Sequence, residues 1–486
     1  MTPDNTALYT ALASHDPRFD GVFYVGVTST GIYCRPVCTA RTPKAANCRF
    51  FDSAVAAEKA NFRPCLRCRP ELAPGNAPVD DAQRIASLIA HRIDEGMLDD
   101  GAGLETIAAR FGWSSRQIRR MLQRELGVSP MDLVLTRRLL LAKQLLTDTR
   151  LPVSEVAFAS GFSSVRRFND AFNGRYGIPP TQFRKATPNT RDVATDTFTL
   201  QLAYRPPLDW AGLLAFLEAR AMCGVEAIDG DAYRRTVQLG SHTGWVSVRH
   251  APAQRALLVE LPHSLTPVLP ALLGRLRHLF DLSARPDVIA AHLSQDPVLA
   301  DSVSRHPGLR VPGGFDGFEL AVRAILGQQI TVKAATTIAG RFAIALGEHI
   351  ETPYGGLDRL APTAERVART RVEEVAALGI VRTRAESIVA LAREMAAERL
   401  VLEPGAQPDE SIARLTALPG VGPWTAQYIA MRATRWPDAF PKEDIAARKA
   451  LGGVSARAAE AASQAWRPWR SYALLHLWQT AGPSRS

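Results

Sequence analysis

Apolar residues recur at helical spacing through MDLVLTRRLLLAKQLLTD (131–148), which predicts one long amphipathic connecting helix. A second pattern occurs twice, once on either side of it. IAARFGWSSRQIRRML (107–122) and VAFASGFSSVRRFNDA (156–171) match at a constant offset of 49 residues. Ala108 pairs with Ala157, Gly112 with Gly161, Trp113 with Phe162 and Ser115 with Ser164. Each copy reads as a short apolar helix, a Gly-containing turn, a Ser cap and a helix carrying basic residues. Further along the period changes. FTLQLAY, YRRTVQL, WVSVRH and ALLVEL read as strands, with DWAGLLAFLEARA as a helix among them. From about residue 265 the pattern is helical again, with a sharp break at LPGVG (418–422).

Two stretches lack periodicity. LAPGNAP (72–78) and ATPNTRDVATDT (186–197) read as linkers. They divide the 486 residues into three blocks, in keeping with about three domains at roughly 150 residues each. Hydrophobic residues make up 46%, ample for packed cores. No apolar run reaches the roughly 18 residues of a membrane span. The first residues show no basic segment followed by an apolar one, so a cytoplasmic protein is expected.

Charge sharpens the picture because it is local. The net charge is +10, and residues 31–70 carry eight Lys/Arg against two Asp/Glu. Residues 84–185 carry sixteen against ten. This suits either a solvated basic surface or a polyanion partner, most simply nucleic acid.

The six cysteines are at 34, 38, 48, 65, 68 and 223. Four form C-x3-C (Cys34, Cys38) and, after 26 intervening residues, C-x2-C (Cys65, Cys68). Four thiolates in close pairs suit one tetrahedral zinc. Cys48 and Cys223 read as small core residues or idle thiols. A structural zinc would leave Arg35, Arg41, Lys44, Arg63, Arg67 and Arg69 unexplained.

TGIYCRPVCTAR followed by FRPCLRC resembles the N-terminal domain of the Ada family of DNA repair proteins over roughly residues 8–72. That resemblance implies that Cys34 accepts a methyl group from a methylated DNA phosphate, and that Cys34, Cys38, Cys65 and Cys68 bind the zinc. Methylation turns a thiolate into a neutral thioether, so the site loses a negative charge and repels the phosphate backbone less. A repair event thereby becomes a signal.

The doubled unit, including GFSSVRRFNDAF (161–172) and GIPPTQFRK, resembles the DNA-binding domain of AraC-type regulators over about 84–185. Two recognition helices in successive major grooves follow from it. The base-facing residues expected are Ser115, Arg116, Gln117 and Arg120 in the first helix, and Ser164, Arg166, Arg167 and Asn169 in the second. About half of them are expected to touch only phosphate. Phe168 and Phe172 are expected in the core.

The Ada family's own C-terminal methyltransferase motif, Pro-Cys-His-Arg, does not occur. From about 198 to 481 the chain instead resembles the AlkA family of alkylpurine DNA glycosylases, of the helix-hairpin-helix superfamily. YRPPLDWAGLLAFLEARA, PGLRVPGGFDGFELAVRAILGQQ, LPGVGPWTAQYIAMRA and WRPWRSYALLHLW carry the likeness. It implies a catalytic carboxylate at Asp444, stabilising an oxocarbenium-like sugar. Trp424, Tyr428 and Trp478 are implied around the flipped base, where aromatic faces suit electron-poor, often cationic purines. Gly420 and Gly422 would grip phosphate through backbone N–H groups. Trp466 and Trp469 are expected in the core. Trp424 stands where strand-cutting relatives carry a lysine, which implies a monofunctional enzyme. Two departures stand out. Gln329, with Ile330 beside it, replaces an apolar DNA wedge, and Pro-Asp-Asp has become Lys442-Glu443-Asp444.

The expected fold is therefore multidomain α+β. A small zinc-binding α/β domain (1–76) precedes an all-α double helix-turn-helix domain (80–186). A β-sheet-containing subdomain (196–285) and a helical helix-hairpin-helix glycosylase domain (286–486) follow. The expected partners are double-stranded DNA, damaged and promoter, and the transcription machinery, with no membrane. The other function these features allow is a methylation-sensing regulator whose glycosylase half only binds DNA.

Overall fold

The computed structural model describes residues 5–73, 93, 104–105, 108, 114–185 and 196–480. Most of both linkers, and the first helix and turn of the first repeat copy apart from Ala108, lie outside the described residues. The chain forms two compact units, one of residues 1–206, 251–274 and 282–284, the other of 207–250, 275–281 and 285–486.

The first unit opens with helix α1 (Asn5–Ala13) and a four-stranded sheet of order β3-β1-β2-β4. Its strands are β1 (Tyr24–Val27), β2 (Ile32–Cys34), β3 (Cys48–Phe51) and β4 (Arg63–Pro64). β1 pairs antiparallel with β2 and β3, while β2 pairs parallel with β4. A parallel pair needs a long crossover, and here it contains β3 and α2 (Ala54–Lys59), which Ser53 caps by accepting from the Ala56 amide at 3.1 Å.

The helical part of this unit follows the repeat. Its described helices are Ser115–Leu126, the connecting helix Pro130–Asp148, Val153–Ala159, Val165–Tyr176 and Pro180–Lys185. Ser114, Ser129 and Ser164 cap three of them, each through its side chain. Gly127 and Gly177 end the two equivalent helices at φ +66° and +73°, where any other residue would be strained. Phe168 and Phe172 are fully buried, as expected. Val55 of α2 joins the helical core beside Ile118, Leu122 and Val134, so the zinc block and the helical block share a core. Strands β5 (Thr197–Ala203) and β9 (Ala256–Pro262) pair antiparallel in this same unit, and Gln144 of the connecting helix donates to the Gln201 carbonyl at 3.1 Å.

The second unit contains a meander of β6 (Glu226–Asp229), β7 (Ala232–Leu239) and β8 (His242–Ala251), with helix Trp210–Glu218. β6 is a strand the sequence pattern did not mark, because EAID is short and bounded by charge. Of residues 196–285, 196–206, 251–274 and 282–284 fall in the first unit, and 207–250, 275–281 and 285 in the second. The rest of the second unit is helical. Helix Pro423–Ala433 packs against Gly317–Leu326 and Pro408–Thr416. Trp466 and Trp469 are buried, as expected.

Candidate functional site

The register of the parallel pair builds the sulfur cluster. Tyr33 lies opposite Pro64, so Cys34 at the end of β2 comes beside Cys65 just after β4. The Cys65 amide donates to the Tyr33 carbonyl at 2.9 Å, which fixes this alignment. The Sγ atoms of Cys34, Cys38, Cys65 and Cys68 all lie within 4.8 Å of one another. A tetrahedral zinc with ligand bonds of about 2.3 Å sets its sulfurs about 3.8 Å apart, inside that limit, so the four residues fit the ion. Cys34, Cys38 and Cys65 are buried and Cys68 is half-buried. Cys48 is half-buried and packs against the cluster around Cys34, while Cys223 is exposed.

The Arg35 N–H donates to the Cys68 sulfur at 3.3 Å, which ties the loop after β2 to the second cysteine pair.

The basic residues around the cluster divide. Arg35 is buried against Asp20, donating from Nε at 2.7 Å, and it also donates to the Cys68 carbonyl at 3.0 Å. Arg69 pairs with Glu71 at 3.0 Å and Asp148 at 2.6 Å. Both are structural, because a buried guanidinium requires a counter-charge. Arg41, Lys44, Arg63 and Arg67 are exposed and open to a polyanion.

On the helical pair, Arg116, Gln117, Arg120, Arg166, Arg167 and Asn169 are exposed, and Ser115 and Ser164 half-exposed. Two of these side chains already have work at the caps. Gln117 closes a capping box, its oxygen accepting from the Ser114 amide at 2.7 Å. Ser164 accepts from the Arg167 amide at 3.2 Å. That spacing is the capping signature; the Ser cap was expected from the repeat, while the part Gln117 plays was not, because Gln117 was weighed only as a base contact. Arg166 lies 4.0 Å from Asp170 in an exposed pair.

In the second unit Asp444 is 6% exposed and caps helix Ile445–Ala450, its Oδ1 accepting from the Ala447 amide at 2.8 Å. The carboxylate also takes two indole donors. Trp424 Nε1 donates to Oδ2 at 2.9 Å and Trp478 Nε1 to Oδ1 at 3.0 Å. Tyr428 lies flat on Trp424, with ring centroids 5.2 Å apart and planes 8° apart. Trp478 tilts toward Tyr428 at 6.4 Å. Four residues separated by up to 54 positions thus form one aromatic-lined carboxylate. Lys442 and Glu443 are exposed.

Beneath the stack, the Tyr428 hydroxyl accepts from Arg432 Nη1 at 2.7 Å. Burial acts to raise the Tyr428 phenol, but the Arg432 and Arg220 guanidiniums outweigh it and hold the phenol below the ordinary tyrosine range. Sequence reasoning missed both arginines, since neither lies in a motif with charge spacing of its own.

At the hairpin, Gly420 has φ +73°, and a Cβ there would come within 2.6 Å of Ser387 Oγ. Ser387 in turn donates to the Pro419 carbonyl at 2.6 Å. Gly420 and Gly422 are exposed, at the N-terminus of helix Pro423–Ala433, which suits an anion. Gln328, not singled out from the sequence, donates to the Gly420 carbonyl and to Thr425 Oγ1, both at 3.0 Å. Its neighbour Gln329 is exposed at φ +54°, and Ile330 is half-buried. An open cleft of about 710 Å³ beside Cys223, Val332 and Lys333 involves none of Asp444, Trp424 and Tyr428.

Four family models match the chain. The metal binding domain of Ada matches residues 7–71, a helix-turn-helix domain 107–186, the AlkA N-terminal domain 199–316 and the HhH-GPD superfamily of base excision DNA repair proteins 322–470. A Mycobacterium tuberculosis protein named probable bifunctional transcriptional activator/DNA repair enzyme AlkA is 39% identical, over 99% of this chain and 97% of its own length. The chain belongs to this family of bifunctional transcriptional activator/DNA repair enzymes. It is a DNA-binding protein that joins a methyl-acceptor domain with one four-cysteine zinc site to a DNA glycosylase. The Escherichia coli protein named DNA-3-methyladenine glycosylase 2 is 33% identical over 58% of this chain and 97% of its own length. The solved 3-methyladenine DNA-glycosylase of Archaeoglobus fulgidus covers 58% of this chain and 98% of its own at TM-score 0.50 and 23% identity, a likeness of fold. No helix among the described residues is long and apolar enough to cross a membrane.

Proposed function

We propose that the chain takes a methyl group from DNA methylphosphotriesters onto Cys34, activates repair genes in that state, and hydrolytically removes alkylated purines of the 3-methyladenine type. The observation that carries the excision half is the Asp444 carboxylate, buried and held by the Trp424 and Trp478 indoles beside the Trp424–Tyr428 stack. A flipped purine would pack on the aromatic faces while the sugar faces Asp444. As the bond to the base breaks, positive charge develops on the sugar, and a pre-oriented carboxylate stabilises it with little reorganisation. The indole donors keep that carboxylate aimed. A tryptophan rather than an amine beside Asp444 supports simple hydrolysis, leaving an abasic site and an intact strand. Gly420, Gly422 and the helix behind them would hold the phosphate, and Gln329 with Ile330 would fill the gap left in the duplex.

At the sulfur cluster, a bound zinc would keep its ligands as thiolates near neutral pH. The Cys34 sulfur attacks the methyl carbon, and the C–O bond breaks with its electron pair going to the phosphate oxygen. The products are a thioether and an ordinary phosphodiester, so Cys34 is used once. The match of residues 7–71 to the metal binding domain of Ada supports a methyl acceptor here. The exposed Arg41, Lys44, Arg63 and Arg67 then meet the backbone, while Arg116, Arg120, Arg166, Arg167 and Asn169 read the operator. Ser115 and Ser164, named as base-facing candidates, would meet the phosphates in this reading, and Gln117 would read a base only if its cap opens. The four-module division at 1–76, 80–186, 196–285 and 286–486, recruitment of the transcription machinery and a cytoplasmic location belong to this reading.

The test is base release from methylated duplex DNA, with wild type beside Asp444→Asn. Free 3-methyladenine from wild type, reduced at least about a hundredfold in the variant, is the expected result. No release from either, with DNA binding intact, would leave the protein a methylation-sensing regulator. An intact-mass gain of one methyl, lost in Cys34→Ser, tests the acceptor.

A further inference from the structure

Arg432 is a buried cation held by neutral acceptors. It is 5% exposed and donates to the Pro312 carbonyl at 2.7 Å, the Gly313 carbonyl at 3.0 Å and the Tyr428 hydroxyl at 2.7 Å. All three acceptors are neutral, and among the described residues no carboxylate pairs with it. Arg220 lies close by. Its guanidinium sits 3.8 Å from the Phe216 ring centroid and donates to the Phe216 carbonyl at 3.2 Å, and Arg432 lies 5.0 Å from that same ring. Arg235 and Arg323 show how the same unit treats arginines that only hold the fold. Arg235 meets Glu319 at 2.8 Å, and Arg323 meets Glu226 at 2.6 Å. Burial of an unpaired charge is strongly penalised, so the uncompensated pair beside the aromatic stack calls for a role.

Resting on the base-excision reading above, we infer that Arg432, with Arg220 and through the Tyr428 hydroxyl, stabilises negative charge that develops on the departing base, and so sets how well uncharged damaged purines are removed. Arg432 donates to the phenol oxygen, which leaves the phenol's own proton to be donated onward. Tyr428 lies on Trp424, and Trp424 bonds to Asp444. Positive charge therefore sits at one end of the stack and a carboxylate at the other, an alignment that draws electrons from sugar to base.

The chemistry separates two substrate classes. The bond between C1′ and the base nitrogen breaks with its electron pair going to the base. A cationic N-alkylated purine then leaves neutral. Water adds hydroxide to C1′, and its second proton goes to solvent. An uncharged purine such as hypoxanthine leaves as an anion, water again adds hydroxide to C1′, and the proton ends on the base. One unit of negative charge moves onto the base in both cases, but only in the second does the base become an anion that must accept a hydrogen bond and then a proton, the step that the Tyr428 hydroxyl and the arginines behind it serve. Arg432 acts here as a positioning and charge-supplying residue, because its contact is with Tyr428.

The experiment measures single-turnover release of hypoxanthine and of 7-methylguanine from otherwise identical duplexes, with full-length wild type, Tyr428→Phe, Arg432→Gln and Arg432→Lys. Losses common to both substrates cancel in the ratio of the two rates, and so do losses from misfolding. The hypoxanthine to 7-methylguanine ratio should fall at least about tenfold in Tyr428→Phe and Arg432→Gln, and recover part of the way in Arg432→Lys. An unchanged ratio, or a wild type that releases 7-methylguanine but never hypoxanthine, would overturn the inference. A wild type that releases neither base would instead defeat the base-excision reading, and the inference with it.

Discussion

The Tyr33 hydroxyl donates to the Glu58 carboxylate across 2.9 Å, one residue before the Cys34 sulfur. Glu58 also accepts from Thr136 at 3.2 Å and pairs with Arg175 at 3.0 Å, so residues of β2, the connecting helix and helix Val165–Tyr176 converge on it. Burial pushes the Glu58 carboxyl from 4.5 up to about 7, against the opposing pull of Arg175, Tyr33 and Thr136. The folded state therefore holds this proton more tightly than the unfolded chain. The resulting stability is present in full below about pH 4.5 and is lost as pH rises to about 7, amounting to roughly 3 kcal/mol. Glu58→Gln cannot titrate. Its melting temperature relative to wild type should be more favourable at pH 8 than at pH 5, by calorimetry. A pH-independent difference would refute the assignment.

Trp424→Phe keeps a ring to stack on Tyr428 and removes the donor to Asp444. Hydrogen bonds to charged groups contribute about 1.5–3 kcal/mol. The single-turnover rate of base release should therefore fall by roughly ten- to a hundredfold. If Trp424→Phe and wild type release base at the same rate, the indole does not orient the carboxylate.

Gln329 holds a left-handed backbone at φ +54° that costs a side chain of order 1 kcal/mol. Gln329→Gly should relieve that strain, raising denaturant stability by about 0.5–1 kcal/mol. It should also slow release from a paired lesion more than from a mismatched one, since flipping an unpaired base needs less help. Equal slowing on both would argue against a gap-filling role.

Thiol labelling reads the zinc site. In the loaded protein iodoacetamide should modify Cys223 fast and Cys48 slowly, leaving Cys38, Cys65 and Cys68 protected. After strong chelation all six should label, and the gain should include Cys38, Cys65 and Cys68 by peptide mass. Fast labelling of these three in loaded protein would contradict the site.

Local pattern carried much of this. The 49-residue repeat, the paired cysteines and LPGVG are short-range features, and the chemistry of turns, caps and ligand spacing operates over a few residues. The zinc cluster and the helix pair were legible for that reason, as were the strands that alternate cleanly. β6 was not, because four residues give too little alternation to register.

What the tertiary structure decided is which charges are buried and with whom. Arg35 and Arg67 look alike in sequence, yet one is spent on Asp20 and the other is exposed. Arg323 finds Glu226, 97 positions away, while Arg432 finds only neutral acceptors. The sequence by itself determined the residue types, the ligand spacing and the order of the modules. The linkage of zinc block to helix pair through Glu58, and the unpaired arginines beneath Tyr428, arise only in the fold. The cost of burying a charge depends on atoms brought close by packing, and that proximity has no periodic trace along the chain.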